Sequence, residues 1–338
     1  MDDLTVVTGG AGFIGHHLVE QLVDSGQHVR VIERPGAVVD HLPAAASVFF
    51  ADIRDRPALA RAMEGARRVY HLAANPNLWV RDRGEFEAVN SQGTVNVLDA
   101  AVAAGAERIL HTSTESILTK AKLNGPIDEN IEIELSDAVG PYCRSKLLAE
   151  QYAFSLAARG LPIVVANPTM PVGPGDRGLS PPTRLIVDFC NGALPATMDC
   201  TLNVIDVRDV ARGLSLVMER ASPGRRYILG HANLTLVRFL GVLAELTGVP
   251  VPRWRVPYSV GITVALFSEL IADRWTGRAP KATVTGVRLA KRTMHFDSSR
   301  SLAELGLQPR PIHESLADAL TWLTASGRVP RHAPGSTQ

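Results

Sequence analysis

The stretch Thr8-Gly9-Gly10-Ala11-Gly12-Phe13-Ile14-Gly15 narrows the folds open to this chain more than any other. The apolar run Leu4-Thr5-Val6-Val7 before it reads as a buried parallel strand. Phe13, Ile14, Leu18, Val19, Leu22 and Val23 after it have the spacing of a helix packed on a sheet. Glycine lacks a Cβ, so the backbone can turn tightly, approach a phosphate and let helix and strand pack closely. The free N–H groups and positive end of the helix then face the pyrophosphate of a dinucleotide. A second strand from His28 to Glu33 completes the context this reading needs. Gly9, Gly12, Phe13, Ile14 and Gly15 are therefore expected cofactor contacts.

Composition then removes several function classes. Net charge is +1, which gives no electrostatic case for nucleic acid or an anionic membrane. The three cysteines, Cys143, Cys190 and Cys200, lack metal-ligand spacing, and an odd count argues against a disulfide framework; no metal site is expected. The first strand begins within a few residues, so no signal peptide is expected and a cytoplasmic protein is. Alternating strands and helices up to 166 imply an α/β doubly wound parallel sheet, the dinucleotide-binding Rossmann core. Residues 167–330 are expected to form a smaller, mainly substrate-binding region with some segments returning to the core, and 331–338 a flexible tail.

The second strand ends at Glu33-Arg34. An acidic residue there accepts hydrogen bonds from the adenosine ribose and favours NAD, whereas an arginine pairs with a 2′-phosphate and favours NADP. Both residues are present, so NAD is expected and NADP stays open. Asp52, past a third strand at 48–51, could cap the next helix, near Pro57, or reach the adenine amino group. The fourth strand ends in Leu72, Ala73 and Ala74, small enough at its tip for a cofactor to lie against the backbone. His71 is expected to point into packing. Trp79, in the following loop, could wall a substrate pocket or simply pack. A long helix is expected over 85–104. The fifth strand ends at Thr112, also an expected cofactor contact, and runs into Ser113-Thr114-Glu115-Ser116, where a sheet-top site should lie.

Tyr142 and Lys146 stand four apart on a helix expected to reach Arg159, which places them on one face. An isolated tyrosine titrates near ~10 and is a poor base at neutral pH. A nearby ammonium favours phenolate, and a positive nicotinamide would add to that. Tyr142 could then take a proton from a substrate hydroxyl as hydride leaves, or donate one in reverse. Thr114 would hold the reacting oxygen, and Lys146 would tune Tyr142 and bind ribose. A sixth strand at 161–166 leads into Asn167-Pro168-Thr169 and a Gly- and Pro-rich loop, a shaped wall or lid. Beyond it, helices are expected at 183–192, 207–220, 235–247, 257–275 and 312–325, and short strands near 202–205, 226–229 and 253–256. The apolar stretch Val256 to Leu270 is too short and too charged at its end for a membrane span. It suits a packed helix, a dimer contact or a pocket wall, with a membrane-surface helix as the lesser reading.

At these residues the chain resembles the extended short-chain dehydrogenase/reductase superfamily, which includes the NAD-dependent epimerases and dehydratases. TGGAGFIG at 8–15, Asp52-Ile53, His71-Leu72-Ala73-Ala74, Asn90-x-x-Gly93-Thr94, Thr114, Tyr142-x-x-x-Lys146 and Asn167-Pro168-Thr169 carry the likeness over nearly the whole chain. PYCRSKLLAEQ, ANPTMPVGPGD, LNVIDVRDVARG and RYILGHANLTL bring it nearer the hopanoid-associated sugar epimerase and dihydroflavonol-reductase-like branch. The resemblance implies a Rossmann fold and catalytic roles for Thr114, Tyr142 and Lys146. It implies adenine contacts from Asp52 and Ile53, nicotinamide-side contacts from Ala73, Asn90 and Pro168, and a homodimer through the helices at 85–104 and 140–159. Thr114 replaces the family's common serine. Glu33 stands where the branch often has an apolar residue, which weakens its usual NADP preference.

Three functions follow. The first is an alcohol dehydrogenase or carbonyl reductase for a small or partly apolar substrate. The second is a nucleotide-sugar epimerase or dehydratase, and the third a silent dinucleotide sensor. Retention of hydroxyl, phenol and ammonium disfavours the third. Glu115 follows the threonine as in nucleotide-sugar dehydratases, but Ser116 leaves their acidic pair incomplete, and a solvated or capping Glu115 is expected. Asn167 and Trp79 are further substrate-side candidates. Arg184 and Arg226 are possible diphosphate partners but are expected as exposed structural charges. The short approach to Leu202-Asn203 favours the first function.

Overall fold

The apolar run before the glycine turn becomes the central strand of a parallel sheet. In this computed structural model, which describes residues 3–121, 123 and 125–331, β1 (Leu4–Thr8) leads into α1 (Phe13–Asp24). Then come β2 (His28–Glu33), β3 (Ser47–Phe50), α2 (Arg56–Ala62) and β4 (Ala66–His71). The next helical stretch is not uniform. It passes from α3 (Gly84–Phe86) through a π-helical segment (Glu87–Gly93) into α4 (Thr94–Ala103). A Cβ on Gly93 would lie 2.6 Å from Ile53 Cδ1, so the π segment sits where backbone presses on the loop after β3. β5 (Arg108–Thr112), α5 (Gly140–Ala158) and β6 (Ile163–Pro168) complete the alternating half.

After β6 the chain forms β7 (Met170–Val172), α6 (Pro181–Cys190), β8 (Thr201–Asp206), α7 (Val207–Arg220), β9 (Arg226–Leu229), β10 (Ala232–Thr235) and α8 (Leu236–Thr247). α9 (Tyr258–Ile271) continues as a π turn (Ala272–Thr276) and is followed by α10 (Val284–Ala290), α11 (Ser299–Leu305) and α12 (Ile312–Ala325). The main sheet has seven strands in the order β3-β2-β1-β4-β5-β6-β9, all parallel. The order reverses between β1 and β4, and there a doubly wound sheet opens a crevice at its carboxyl ends. One apolar layer packs Leu18, Leu22, Leu214 and Val217 on one face; the other packs Leu59, Met63, Val97 and Leu98 on the opposite face. A second sheet, β10-β8-β7, carries its own core of Phe189, Phe239, Leu240 and Leu316.

Several expectations need correction. No strand forms over 253–256; Arg255 makes only an isolated bridge with Thr197. β7, β10, α10 and α11 were not expected, because three- to seven-residue elements are too short to show a period. The apolar stretch of α9 is not a packed helix on all sides: within Tyr258–Ile271 only Gly261 and Ala265 are buried. Apart from Arg331, the expected tail at 331–338 lies outside the described residues.

Candidate active site

The crevice is built first by its glycines. Gly9 has φ +72, and a Cβ on it would stand 2.7 Å from the Ala73 nitrogen. A Cβ on Gly15 would fall 2.1 Å from the Gly9 carbonyl oxygen. The turn between β1 and α1 therefore closes only with glycine at both positions. Gly12 caps α1 without any side-chain hydrogen bond, so the first helical N–H groups, at Phe13 to Gly15, face the crevice. His16 N and Nδ1 both approach the Gly12 carbonyl oxygen, at 3.0 and 2.9 Å. The Gly- and Pro-rich loop after β7 lies on the same helix end. His17 Nε2 meets Pro174 O at 3.0 Å, and a Cβ on Gly175 would strike His16 Nε2 at 2.4 Å. Sequence reasoning missed His16 and His17; their place one turn into the glycine-motif helix was the available signal. Burial lowers the pKa of both imidazoles, that of His16 to about 4.

Glu33 Oε1 accepts the Ala11 N–H at 2.9 Å, so the β2 carboxylate braces the glycine loop it was expected to border. Burial raises its pKa, and hydrogen bonds from the Ala11 and Arg34 amides oppose that. Arg34 is exposed. Asp52 does not cap α2; Asp55 does, accepting from Ala58 N at 3.0 Å. Asp52 instead takes the Arg54 Nε at 2.9 Å and is held below the usual carboxylate range mainly by that side chain. Ile53 is buried, and its carbonyl accepts from Asn96 Nδ2 at 3.1 Å.

His71 packs, as expected, and orders a polar wire. Ala73 N donates to Thr8 Oγ1 at 3.2 Å, Thr8 Oγ1 lies 2.7 Å from His71 Nδ1, and His71 Nε2 lies 2.9 Å from Thr94 Oγ1. Thr94 donates in turn to Asn90 O at 2.7 Å. These partners suit a neutral ring with its proton on Nε2. Burial holds that ring neutral, with its pKa near 3. Asn90 is fully buried and spends its amide inside the protein: Oδ1 accepts from Asn75 N at 2.7 Å, and Nδ2 donates to Asn75 O and to Ser145 Oγ. It ties the loop after β4 to α5. Trp79 is likewise no free pocket wall. It is buried and donates through Nε1 to Asp273 Oδ1 at 3.1 Å.

The reactive trio converges at the carboxyl end of β5. Thr114, Tyr142 and Lys146 are all buried, and the Thr114 side chain stands beside the Tyr142 phenol. Thr114 Oγ1 also donates toward Glu115 Oε2 at 3.0 Å. The expected effect of lysine on tyrosine is not what the protein's own field produces. Burial drives the Tyr142 phenol above its ordinary value, Cys143 and Glu115 add to that, and only Thr114 opposes it. Lys146 turns to the Thr112 carbonyl oxygen, 2.8 Å away. Burial brings its pKa down to about 8, against Glu150. Glu115 is half-buried in the first turn of a short 3-10 helix (Glu115–Ile117), and burial raises its carboxyl to about 7.

Asn167 is fully buried behind this trio rather than in the crevice. Its Nδ2 donates to Thr114 O at 3.2 Å and to Glu150 Oε2 at 2.7 Å. Glu150 also holds Arg226 Nη2 at 2.6 Å, so Arg226 is a largely buried structural charge, not an exposed one. Arg184 Nε donates to Leu179 O. The Glu150–Arg226 pair escaped the sequence because its partners lie 76 residues apart. Pro168 is buried at the end of β6.

The residues fit a dinucleotide. The helix end offers free N–H donors beside a turn without side chains, and the buried Thr112 Oγ1 and Ser113 Oγ find no partner within the protein. Among the described residues no group of His, Cys, Asp or Glu could hold a metal ion, and the three cysteines are free.

A seven-stranded parallel sheet with a glycine turn at its switch point, and a threonine, tyrosine and lysine beside it, defines a Rossmann-type dinucleotide-dependent enzyme. Comparison with known proteins narrows the class. Residues 5–230 match the NAD-dependent epimerase/dehydratase family, and the chain belongs to that family, a part of the extended short-chain dehydrogenases/reductases. A dihydroflavonol 4-reductase-like protein of Synechocystis sp. is 36% identical, covering 97% of both chains. Sterol demethylase protein B of Methylococcus capsulatus is 32% identical, covering 96% of this chain and 99% of its own. The crystal structure of gox2253 superposes with a TM-score of 0.86 at 34% identity, over 97% of this chain and 100% of that one.

Proposed function

We propose that the protein is an NAD-dependent oxidoreductase that interconverts a hydroxyl and a carbonyl group on a small, partly apolar substrate. The observation that carries this is the buried Tyr142 phenol beside the Thr114 side chain, within an apolar cluster. Tyr142 shares a buried cluster with Phe86, Ile117, Leu118, Leu289 and Phe296, with Leu78, Val80 and Met294 packed against it. Two relatives named for reductase and sterol chemistry agree with a partly apolar substrate. Bound NAD supplies the hydride acceptor or donor. The chain supplies the rest. Tyr142, protonated at neutral pH by its burial, hands a proton to the substrate carbonyl oxygen. Thr114 Oγ1 fixes that oxygen. Lys146, anchored on Thr112 O, binds the ribose and keeps a positive charge below about pH 8. Glu33 accepts a ribose hydroxyl and repels a 2′-phosphate, which selects NAD over NADP. The enzyme is a homodimer through α4 and α5.

A second reading, a nucleotide-sugar epimerase or dehydratase, draws on one observation. Arg292 has a buried Nη1 without a partner and lies near Cys143, next to Tyr142. A diphosphate would satisfy it. The test is a panel of aldehydes, ketones, alcohols and nucleotide sugars, read by reduced-nicotinamide absorbance and by product analysis. Net cofactor turnover in step with an aldehyde, ketone or alcohol supports the proposal. Conversion of a nucleotide sugar with flat absorbance replaces it with the second reading.

A further inference from the structure

We infer that α9 and its π turn form a docking surface for an anionic lipid bilayer, on which the helix lies flat. Val260, Val264, Phe267 and Ile271 are all exposed, Phe267 by 62%. Their spacing of four, three and four residues places them in one stripe along the helix. The polar groups nearest this stripe are muted: Thr263 Oγ1 donates to the Ser259 carbonyl oxygen within the helix. The one charged residue within Tyr258–Ile271, Glu269, turns inward, accepting from Val284 N at 2.8 Å and meeting Arg83. A stripe of this kind on the surface of a protomer is an unfilled contact.

The ends of the helix indicate what fills it. Trp254 precedes α9 and is 78% exposed; Trp275 closes the π turn and is 76% exposed. Tryptophan at both ends of an apolar stripe suits the boundary between headgroups and acyl chains. Arg253 and Arg255 flank the first tryptophan, and Arg274 and Arg278 flank the second; all four are exposed. Arg255 faces Asp199 at 3.5 Å, and among the described residues Arg253, Arg274 and Arg278 meet no carboxylate. The other carboxylate of the segment, Asp273, is committed to Arg83 and Trp79. The patch is thus apolar with a cationic rim, as in helices that lie in an anionic interface. A second copy about a twofold axis would oppose these arginines to one another. Among the described residues no helix is long and apolar enough to cross a membrane, so the contact is peripheral. This inference does not depend on the redox reading.

The test is sedimentation of the NAD-saturated protein with vesicles of phosphatidylcholine alone and of phosphatidylcholine mixed equally with phosphatidylglycerol. Binding is expected on the mixed vesicles, with a blue shift of tryptophan emission, and at least about tenfold weaker binding on the neutral ones. A Val264→Glu/Phe267→Glu variant should lose both signals while calorimetric NAD affinity stays unchanged, which shows that it folds. Arg274→Ala/Arg278→Ala should weaken binding to the mixed vesicles alone. The inference is overturned if neither vesicle binds the wild-type protein, or if light scattering shows a dimer that the glutamate variant dissociates.

Discussion

Replacing Glu150 tests the support behind the reactive trio. The carboxylate is almost fully buried and joins Arg226 Nη2 at 2.6 Å to Asn167 Nδ2 at 2.7 Å, and Asn167 holds the Thr114 carbonyl. Glu150→Ala leaves the guanidinium without its counter-charge. Breaking a buried pair from one side costs about 3–5 kcal/mol. Arg226 keeps the Ile131 carbonyl at 3.0 Å and the Phe154 ring, and its side chain is 13% exposed, so the low end applies. A loss of about 3 kcal/mol is expected, roughly 4 °C in melting temperature for a chain of this size. Removing the stranded charge as well, in Glu150→Ala/Arg226→Met, should recover most of that loss. Thermal unfolding of the wild type, both single variants and the double variant measures all of this. A single-variant loss under about 1 kcal/mol, or a double variant no better than Glu150→Ala, refutes the reasoning.

Two further outcomes follow from the geometry. Gly15→Ala forces a Cβ to 2.1 Å from Gly9 O, so calorimetry should find NAD binding abolished or weakened by orders of magnitude; near-normal affinity would show that the turn relaxes. Glu115, raised by burial to about 7 from an ordinary 4.5, binds its proton more tightly when folded. Its contribution to stability is full below 4.5 and is lost as pH rises through 7. Glu115→Gln should therefore flatten the stability–pH curve between these values, and an unchanged slope in urea titrations would contradict the assignment.

The alternating half of the fold was legible because its central strands are buried and its longer helices, such as α1, carry full periods. His28–Glu33 matches its expected bounds. The second half was less so. β7 has three residues with Pro171 in the middle, and β10 alternates only over Ala232 to Thr235. The trio at Thr114, Tyr142 and Lys146 could be read because a helical spacing and a strand end fix where side chains go. What each side chain touches could not. Spacing gives no sign that Lys146 turns to Thr112 O or that burial drives the Tyr142 phenol up. Likewise the mixed polarity of Asn90, Asn167 and Trp79 suited ligand contact, yet long-range partners at Asn75, Glu150 and Asp273 take up their polar N–H groups and the Asn90 oxygen, leaving only Asn167 Oδ1 unpaired.

The central claim is that Tyr142 moves the proton in a net redox reaction. The direct measurement is steady-state turnover of Tyr142→Phe beside the wild type on the best carbonyl or alcohol substrate, with NAD affinity measured on the same samples. The phenyl ring keeps the packing against Phe86, whose centroid lies 6.1 Å away, and removes only the hydroxyl. The expected result is a fall in kcat of about 10²–10⁴ with NAD affinity unchanged. Turnover within a fewfold of wild type, with cofactor still consumed in step with product, would contradict the account.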